Sequence, residues 1–228
     1  MFDVFIIDCR RHCFQNAIKL QKLFKEFFDS VYLLSSIDVN NRDKNLISIG
    51  DYDFVNGFNQ ALRVVKNKFS IFVNSSLDIN DLRVVLYRLN YLKENLFDYC
   101  GSYGFSVQGF NLKEEQKKEI YPKLYQVTHH SLDFFVLEKS IFKAIGLLPC
   151  VPYAKGEGLE YLIPWISTKN NKSTFLDEIF VFKNRIKIKK NKLDYIVDKQ
   201  KCFLATVSNV YNLNNNFELF YKTNFNYI

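Results

Sequence analysis

The 228-residue sequence has few of the features that would assign it at once to a common class of protein. Glycine is scarce, with 8 residues, and none lies between Cys9 and His12, directly after the first predicted strand. A nucleotidyltransferase normally has a glycine-rich phosphate loop at this point, so the lack of glycine counts against that class. The sequence also lacks the roughly 18 consecutive apolar residues of a membrane span. Residues 1–8 lack the basic start of a signal peptide, so we expect a cytoplasmic protein.

Cysteine is sparse as well, and its placement argues against a metal centre or a disulfide framework. The five cysteines are widely spaced and odd in number, which is typical of free thiols in a reducing compartment. Cys9 and Cys13 are close in sequence, but no second cysteine pair or nearby histidine pair completes a zinc site.

The formal net charge of +7 suits an anionic partner such as a nucleotide diphosphate or an acidic membrane surface. No recognised nucleic-acid-binding motif is present, so we expect no nucleic-acid partner. Hydrophobic residues make up 48% of the chain, which is the composition of a globular protein. The 23 Phe and 14 Tyr predict a large aromatic core, with a sugar-stacking surface as the alternative for some of these rings.

Short apolar runs alternate with amphipathic segments in the first half of the chain. The patterns predict strands over residues 4–7, 31–34, 46–49 and 69–73, and helices over 13–29, 57–66 and 82–95. This alternation is typical of parallel βαβ units. In the second half we predict strands over 99–108 and 175–182, a charged helix or loop over 113–119, and helices over 139–145 and 157–167.

Polar residues follow three of these predicted strands, over residues 8–11, 35–38 and 74–78. Ligands of parallel sheets bind at the carboxyl ends of the strands. We therefore expect these three segments to converge on one binding site.

Residues 56–78 resemble the nucleotide-binding half of family 2 glycosyltransferases, which have the GT-A fold. Gly57 and Ala61 match a Gly-x-x-x-Ala helix, and residues 74–78 occupy the place of an Asp-x-Asp turn. Residues 131–149 resemble the acceptor-side strand and helix of the family, and residues 156–160 resemble the turn that carries its catalytic glutamate. The likeness covers residues 2–182 and is one of layout and short motifs.

The resemblance implies an α/β fold: a GT-A-like, Rossmann-type sandwich with a mainly parallel central sheet flanked by helices. It implies one GT-A-like domain over residues 1–182, with a nucleotide-binding half (1–98) and an acceptor half (99–182). Residues 183–228 are then a C-terminal basic hairpin and tail packed on the same domain.

The resemblance implies an inverting enzyme that moves a sugar from a nucleotide-diphosphate-sugar donor to a glycan or lipid-linked acceptor. The implied role is surface polysaccharide or lipooligosaccharide biosynthesis. The alternatives are a non-catalytic nucleotide- or glycan-binding relative and a nucleotidyltransferase. The basic run over residues 183–192 is either a solvated hairpin or a peripheral contact with an anionic membrane, at its inner face.

Glycosyl transfer needs positive charge beside the leaving diphosphate and a carboxylate base beside the acceptor hydroxyl. Asp78 is the candidate ligand for Mn²⁺ or Mg²⁺, which prefer oxygen ligands, and its alternative role is a helix N-cap. Glu157 is the candidate base and Glu160 the second candidate. Their alternative role is that of solvated residues in the first turn of a helix.

Further binding residues are carried over from the resemblance. The candidates for the donor are Cys9, Arg10, Arg11, Asp38, Asn59, Asn74 and Ser76. The candidates for the acceptor are Asp133, His130 and Trp165, with a strand entrance and core packing as the alternative roles of the histidine and the tryptophan.

The sequence departs from the family at two positions. The metal-binding aspartate of the family lies at or next to Ser76, and Gly158 stands where the family often has an aspartate. A degenerate, inactive or metal-independent member is therefore an open alternative.

Overall fold

The structure, a computed structural model, describes residues 2–8, 13–36, 45–49, 54–148 and 158–184. The predictions made for Cys9, Arg10, Arg11, Asp38 and Glu157 lie outside these residues.

The first half of the chain forms parallel βαβ units, as the sequence predicts. Its elements are β1 (Phe2–Asp8), α1 (Phe14–Lys25), β2 (Ser30–Ser35), β3 (Leu46–Ser48), α2 (Phe54–Val64) and β4 (Phe69–Asn74). The strands lie in the order β3-β2-β1-β4, and each neighbouring pair is parallel. Buried residues fill β1 after its first position, because helices cover both faces of the sheet.

The second half extends the same sheet with strands of both directions. Its elements are β5 (Leu77–Asp78), α3 (Arg83–Tyr91), β6 (Cys100–Val107), β7 (Lys117–Tyr121), β8 (Leu124–Val127), β9 (Phe134–Glu138), α4 (Lys139–Ile145), α5 (Leu159–Lys169) and β10 (Ser173–Asn184). From β4 the order continues β9-β6-β10-β8-β7, which makes a ten-stranded sheet within the described residues, with β5 paired to β10. Strand β9 is antiparallel to both β4 and β6, and β10 is parallel to β6. The predicted α/β fold with a mainly parallel sheet is confirmed.

The charged segment over residues 113–119 differs from the prediction of a helix or loop. It forms a short 3-10 turn at Glu114–Gln116 and then the edge strand β7, which pairs with β8. Neither strand is predicted from the sequence. The reason is that most of β7 is exposed, so its sequence shows charged residues rather than an apolar alternation.

Alternate residues of β1 face two separate core layers. Val4 and Ile6 point to the layer covered by α1 and α3, while Phe5 and Ile7 point to the layer covered by α2, α4 and α5. This alternation follows from the two-residue period of a strand. Among the described residues, no helix is both long and apolar enough to cross a membrane.

The second layer contains a cluster of stacked phenylalanine rings, in line with the aromatic core that the composition predicts. The ring centroid of Phe72 lies 4.8 Å from that of Phe135, 5.4 Å from those of Phe5 and Phe142, and 5.5 Å from that of Phe58. Each buried phenylalanine contributes about 1.5–3 kcal/mol of hydrophobic free energy, so this cluster holds α2 and α4 against the sheet.

Candidate active site at the carboxyl ends of the strands

The ends of β1, β2 and β4 meet at the carboxylate of Asp8, which is fully buried. Ser35 Oγ donates to Asp8 Oδ2 at 3.0 Å, and Ser75 Oγ donates to Asp8 Oδ1 at 3.0 Å. The predicted convergence of these three strand ends is confirmed. Because both carboxylate oxygens accept hydrogen bonds inside the protein, Asp8 joins the strand ends rather than facing solvent.

A buried side chain of α1 stabilises the turn after β4 by hydrogen bonds. Asn16 Nδ2 donates to the carbonyl oxygens of Ser75 at 2.7 Å and Leu77 at 2.8 Å. At the start of the turn, Asn74 Oδ1 accepts a hydrogen bond from the backbone of Ser76 at 3.0 Å. Sequence reasoning missed Asn16, although a polar residue on the buried face of an amphipathic helix is a usable signal.

Strand β9 brings a carboxylate to the same place from the acceptor half. Asn74 Nδ2 donates to Asp133 Oδ1 at 2.9 Å, and Asn74 N donates to the carbonyl oxygen of Asp133 at 2.8 Å. Ser131 Oγ donates to Asp133 Oδ2 at 3.2 Å. The structure therefore joins one residue predicted for the donor, Asn74, to one predicted for the acceptor, Asp133. Both side chains are half-buried and border the edge of the sheet.

Ser76 and Asp78 have different surroundings. Ser76 is buried, and its Oγ has no hydrogen-bond partner within the described part of the chain. Asp78 is half-buried in β5, where it stands opposite Lys183 of β10 in the antiparallel register. The backbone N–H of Arg83, the first residue of α3, donates to Asp81 Oδ1 at 2.8 Å rather than to Asp78.

The described side chains do not form a complete metal site by themselves. No group of three or more His, Cys, Asp or Glu residues that could hold a metal ion occurs in the described ranges. Mg²⁺ is, however, usually bound through one or two carboxylates together with the phosphates of the substrate. Asp78, a half-exposed carboxylate on the turn beyond β4, fits that second arrangement.

His130, a predicted acceptor-binding residue, is fully buried. Its Nδ1 lies 2.9 Å from the carbonyl oxygen of Ser131, so Nδ1 carries the proton and donates it. Burial lowers the pKa of His130 to about 4, which keeps the ring neutral. The ring packs on β6 where only glycine fits, because a Cβ on Gly104 would lie 2.5 Å from His130 Cβ. The structure thus places His130 in the packing between β6 and the segment before β9.

His129, next to it, packs against the helix of the acceptor half. Its ring centroid lies 4.8 Å from that of Tyr161 in α5, and its Nδ1 lies 2.9 Å from Thr128 Oγ1. Burial, together with the neighbouring His130, lowers the pKa of His129 to about 4.

Glu160, the second candidate base, lies in the first turn of α5. Its Oε2 accepts the backbone N–H of Gly158 at 2.8 Å, and Gly158 has a φ of 107°, which favours glycine. The carboxylate therefore stabilises the start of this helix, one residue after the segment that contains Glu157.

Asn59 and Trp165 have structural contacts. Both polar atoms of the Asn59 side chain bond to the backbone of Leu148: Nδ2 donates to its carbonyl at 2.9 Å, and Oδ1 accepts its N–H at 2.8 Å. The half-buried Trp165 packs against the aromatic core layer, with Lys169 Nζ 5.5 Å from the centre of its ring. The Asn59 amide thus ties α2 to the segment after α4, and the donor role of Asn59 stays a prediction.

A separate groove of about 430 Å³ lies at the opposite edge of the sheet, where Phe2, Ser30 and Asn67 mark the starts of β1, β2 and β4. Ligands of parallel sheets bind at the carboxyl ends of strands, so this groove is not the candidate active site.

No protein-family model matches the sequence, and no curated protein matches it. Solved structures do resemble the fold. Glucosyl-3-phosphoglycerate synthase from Mycobacterium tuberculosis, in complex with Mn²⁺, UDP-glucose and phosphoglyceric acid, matches with a TM-score of 0.59 and 12% identity. The match covers 92% of this chain and 79% of that one.

Two further glycosyltransferase structures have the same fold. The mannosyltransferase PcManGT from Pyrobaculum calidifontis, in complex with GDP-mannose and Mn²⁺, matches with a TM-score of 0.56 and 9% identity, over 83% of this chain and 58% of that one. TarS from S. aureus matches with a TM-score of 0.54 and 12% identity, over 87% of this chain and 42% of that one. At these identities the likeness establishes the architecture. The chain therefore has the GT-A fold, as its resemblance to family 2 glycosyltransferases predicts.

Proposed function

We propose that this protein is a glycosyltransferase that uses a nucleotide-diphosphate sugar as its donor. The observation that carries the proposal is the meeting of three parallel strand ends at Asp8, directly beside the half-buried pair Asn74 and Asp133. In open α/β sheets this edge is where ligands bind. The structural neighbours solved with UDP-glucose or GDP-mannose support the class of donor.

Asn74 and Asp133 supply the polar contacts to the substrates in this proposal. The amide of Asn74 and the serine hydroxyl of Ser131 hold the Asp133 carboxylate in one orientation. Carboxylate oxygens are hydrogen-bond acceptors, which suits them to sugar hydroxyls. Asp133 thereby binds sugar hydroxyls at the boundary between the donor and acceptor halves.

Asp78 is the proposed protein ligand of a divalent cation, Mn²⁺ or Mg²⁺, carried by the donor diphosphate. Such a cation, when bound, neutralises the negative charge that develops on the leaving diphosphate. Neighbouring structures that contain Mn²⁺ or Mg²⁺ support this assignment. Asp78 contributes one carboxylate at the turn beyond β4, and Arg10 or Arg11 would add positive charge from the segment after β1.

Glu157 is the proposed general base that accepts the proton of the acceptor hydroxyl. Glu160 supports it indirectly, because its carboxylate holds the start of α5 at Gly158. An inverting reaction, a glycan or lipid-linked acceptor and a role in surface polysaccharide or lipooligosaccharide biosynthesis follow from the family resemblance alone.

A non-catalytic relative that binds a nucleotide or a glycan is the second candidate. Ser76 favours it, because serine stands where the family has its metal-binding aspartate and because this side chain is buried.

A thermal-shift panel of UDP-, GDP-, CDP- and dTDP-sugars, each with and without Mn²⁺, tests donor binding. A ligand that binds the folded state raises the midpoint of unfolding, so at least one sugar nucleotide should do so. Asp78→Asn should remove the Mn²⁺-dependent part of the shift, whereas Asp81→Asn, which alters the carboxylate that caps α3, should keep it. A panel in which no sugar nucleotide shifts the midpoint rejects the proposal. Equal donor affinity in Mn²⁺ and in chelator rejects the metal role of Asp78.

A further inference from the structure

The side chain of Asn16 lies on the buried face of α1, beside the core residues Ala17 and Leu20. Its amide nitrogen carries two hydrogens, and each of them bonds to a carbonyl oxygen of the segment after β4. These oxygens belong to Ser75, at 2.7 Å, and Leu77, at 2.8 Å. A buried amide is costly unless it forms hydrogen bonds, so these two contacts explain why an asparagine is tolerated among apolar residues.

The hydrogen bond to Leu77 fixes the peptide group that leads into Asp78. A peptide group is planar, so the direction of the Leu77 carbonyl also sets the position of the nitrogen and Cα of Asp78. Leu77 is fully buried in the core layer that α1 covers. Successive side chains of a strand point to opposite faces, so Asp78 points away from this layer. The amide of Asn16 therefore helps to determine where the Asp78 carboxylate lies.

The residue at the other end of the Asn16 amide is fixed by the sheet itself. The backbone N–H of Ser75 donates to the carbonyl oxygen of Ile7 at 3.0 Å, and Ser75 Oγ donates to Asp8 Oδ1 at 3.0 Å. Asn16 thus connects a residue that is anchored to β1 with the residue directly before Asp78. Without this amide, the peptide group between Leu77 and Asp78 would lose a buried hydrogen bond that restricts its rotation.

Helix α1 also reaches the far side of Asp78. Lys19, which lies three residues after Asn16 and so on a neighbouring part of the helix surface, donates from Nζ to Asn80 Oδ1. Asn80 Nδ2 lies 3.4 Å from Asp78 Oδ1. Because Lys19 and Asn80 are exposed, water competes for these contacts. The buried hydrogen bonds of Asn16 are therefore the stronger constraint.

We propose that Asn16 is a positioning residue for the divalent-cation site. Its amide holds Asp78 in the orientation in which the carboxylate meets a cation carried by the donor diphosphate. The inference rests on the proposed function, in which Asp78 is the protein ligand of that cation. Side chains that orient a metal ligand typically change metal affinity by about 10- to 100-fold when they are removed.

Titration of the full-length protein with UDP and with GDP, each in Mn²⁺ and in chelator, tests the proposal. Asn16→Leu keeps the size and burial of the side chain but donates no hydrogen bond. It should weaken nucleotide binding in Mn²⁺ by about tenfold. Binding in chelator should stay unchanged, because Asp78 contacts the nucleotide only through the cation. A substitution that merely damaged the fold would weaken binding under both conditions.

Gln21→Met is the matched control on the same helix. Gln21 is 7% exposed, and its Nε2 has no hydrogen-bond partner within the described part of the chain. Its replacement by a side chain of similar length should leave nucleotide binding in Mn²⁺ unchanged. The thermal midpoint of each variant establishes that it is folded. If Asn16→Leu is not folded, Asn16→Ala takes its place, because a water molecule can occupy the space that the amide leaves.

Asp78→Asn separates this inference from the proposed function. It should remove the Mn²⁺-dependent part of binding, and the addition of Asn16→Leu should then cause no further loss, because Asn16 acts through Asp78. If Asp78→Asn weakens binding in Mn²⁺ and Asn16→Leu does not, the inference is overturned and the metal role of Asp78 stands. Equal losses from Asn16→Leu in wild type and in Asp78→Asn overturn it as well.

Two results would reject the metal role of Asp78 and the inference with it. The first is wild-type protein that binds neither UDP nor GDP more tightly in Mn²⁺ than in chelator. The second is an Asp78→Asn variant that keeps the wild-type affinity in Mn²⁺.

Discussion

At the residue scale, the described part of the fold contains a buried ion pair. Arg88 and Asp177 are both fully buried, and Arg88 Nε lies 2.9 Å from Asp177 Oδ2. Tyr103 donates its hydroxyl to the same oxygen, and Arg88 Nη2 donates to the carbonyl of Pro122 at 2.7 Å. Burial raises the pKa of Asp177, while the Tyr103 hydrogen bond and the charge of Arg88 oppose that rise. The ion pair stabilises β10 where its register with β6 shifts, between Asp177 and Phe182. Asp177 also accepts the N–H of Ile179 at this point.

Removing one member of this pair leaves the other charge buried and uncompensated. We predict that Arg88→Met lowers the free energy of unfolding by about 3–5 kcal/mol, measured by urea denaturation. Arg83→Met is the control on the same helix, because Arg83 pairs with Asp81 at the surface, where its side chain is 87% exposed. Surface pairs contribute little, so Arg83→Met should leave the urea midpoint nearly unchanged. Equal effects of the two substitutions would contradict the assignment of Arg88 as a buried charge.

At the element scale, the sequence predicts the strands that are short apolar runs, including the half-exposed β3, and misses β5, β7 and β8. β1, β2 and β4 are short apolar runs followed by polar residues, so their existence and their order of alternation with helices follow from composition. β5 has two residues, and β7 is a charged edge strand, so neither has a periodic signal. The pairing of β9 between β4 and β6 depends on contacts between residues far apart in sequence, which no local pattern reports.

The candidate site shows the same division between residues that a local sequence pattern locates and residues that it does not. Asn74 lies at the end of a buried strand, where the strand pattern locates it, and the family resemblance points to Asp133. Ser131 and Asn16 were missed, because each acts through one short side chain whose partner lies far away in sequence. The packing of His130 on Gly104 is not visible in the sequence either, because the two residues lie on different elements.

Two buried histidines between β8 and β9 make the free energy of unfolding depend on pH. His129 and His130 in this segment have pKa values lowered from 6.5 to about 4 by burial. Between these values the unfolded chain binds more protons than the folded one, so the free energy of unfolding falls as pH drops from about 6.5 towards about 4. Each histidine should therefore remove roughly 2 kcal/mol between pH 7 and pH 5, measured by urea denaturation.

His129→Phe isolates one of these contributions, because phenylalanine keeps the ring contact with Tyr161 and does not titrate. The loss of stability between neutral and mildly acidic pH should be about half that of wild type. The raised pKa of Asp177 acts in the opposite direction, but it is present in both proteins and cancels in the comparison. An unchanged dependence on pH in His129→Phe would show that folding does not lower the pKa of His129.

At the scale of the whole molecule, one sheet joins a half of parallel strands to a half whose strands run in both directions. The parallel strands β1, β2 and β4 end at Asp8, Ser35 and Asn74, and the antiparallel strand β9 begins at the same edge directly after Asp133. The edge thus receives polar side chains from both halves. The protein shares its GT-A architecture with the glycosyltransferases that it resembles in fold.

We propose that the protein transfers sugar from a nucleotide donor at this edge of the sheet. The release of nucleoside diphosphate from a sugar nucleotide that the protein binds tests this proposal most directly. Wild type should release it, and Glu157→Gln should bind the same donor but release it about 10²- to 10⁴-fold more slowly, as expected for loss of a general base. Glu160→Gln is the matched control, because the amide oxygen of glutamine can still accept the N–H of Gly158. Wild type without any release from a bound sugar nucleotide, or equal release by wild type and Glu157→Gln, would contradict the account.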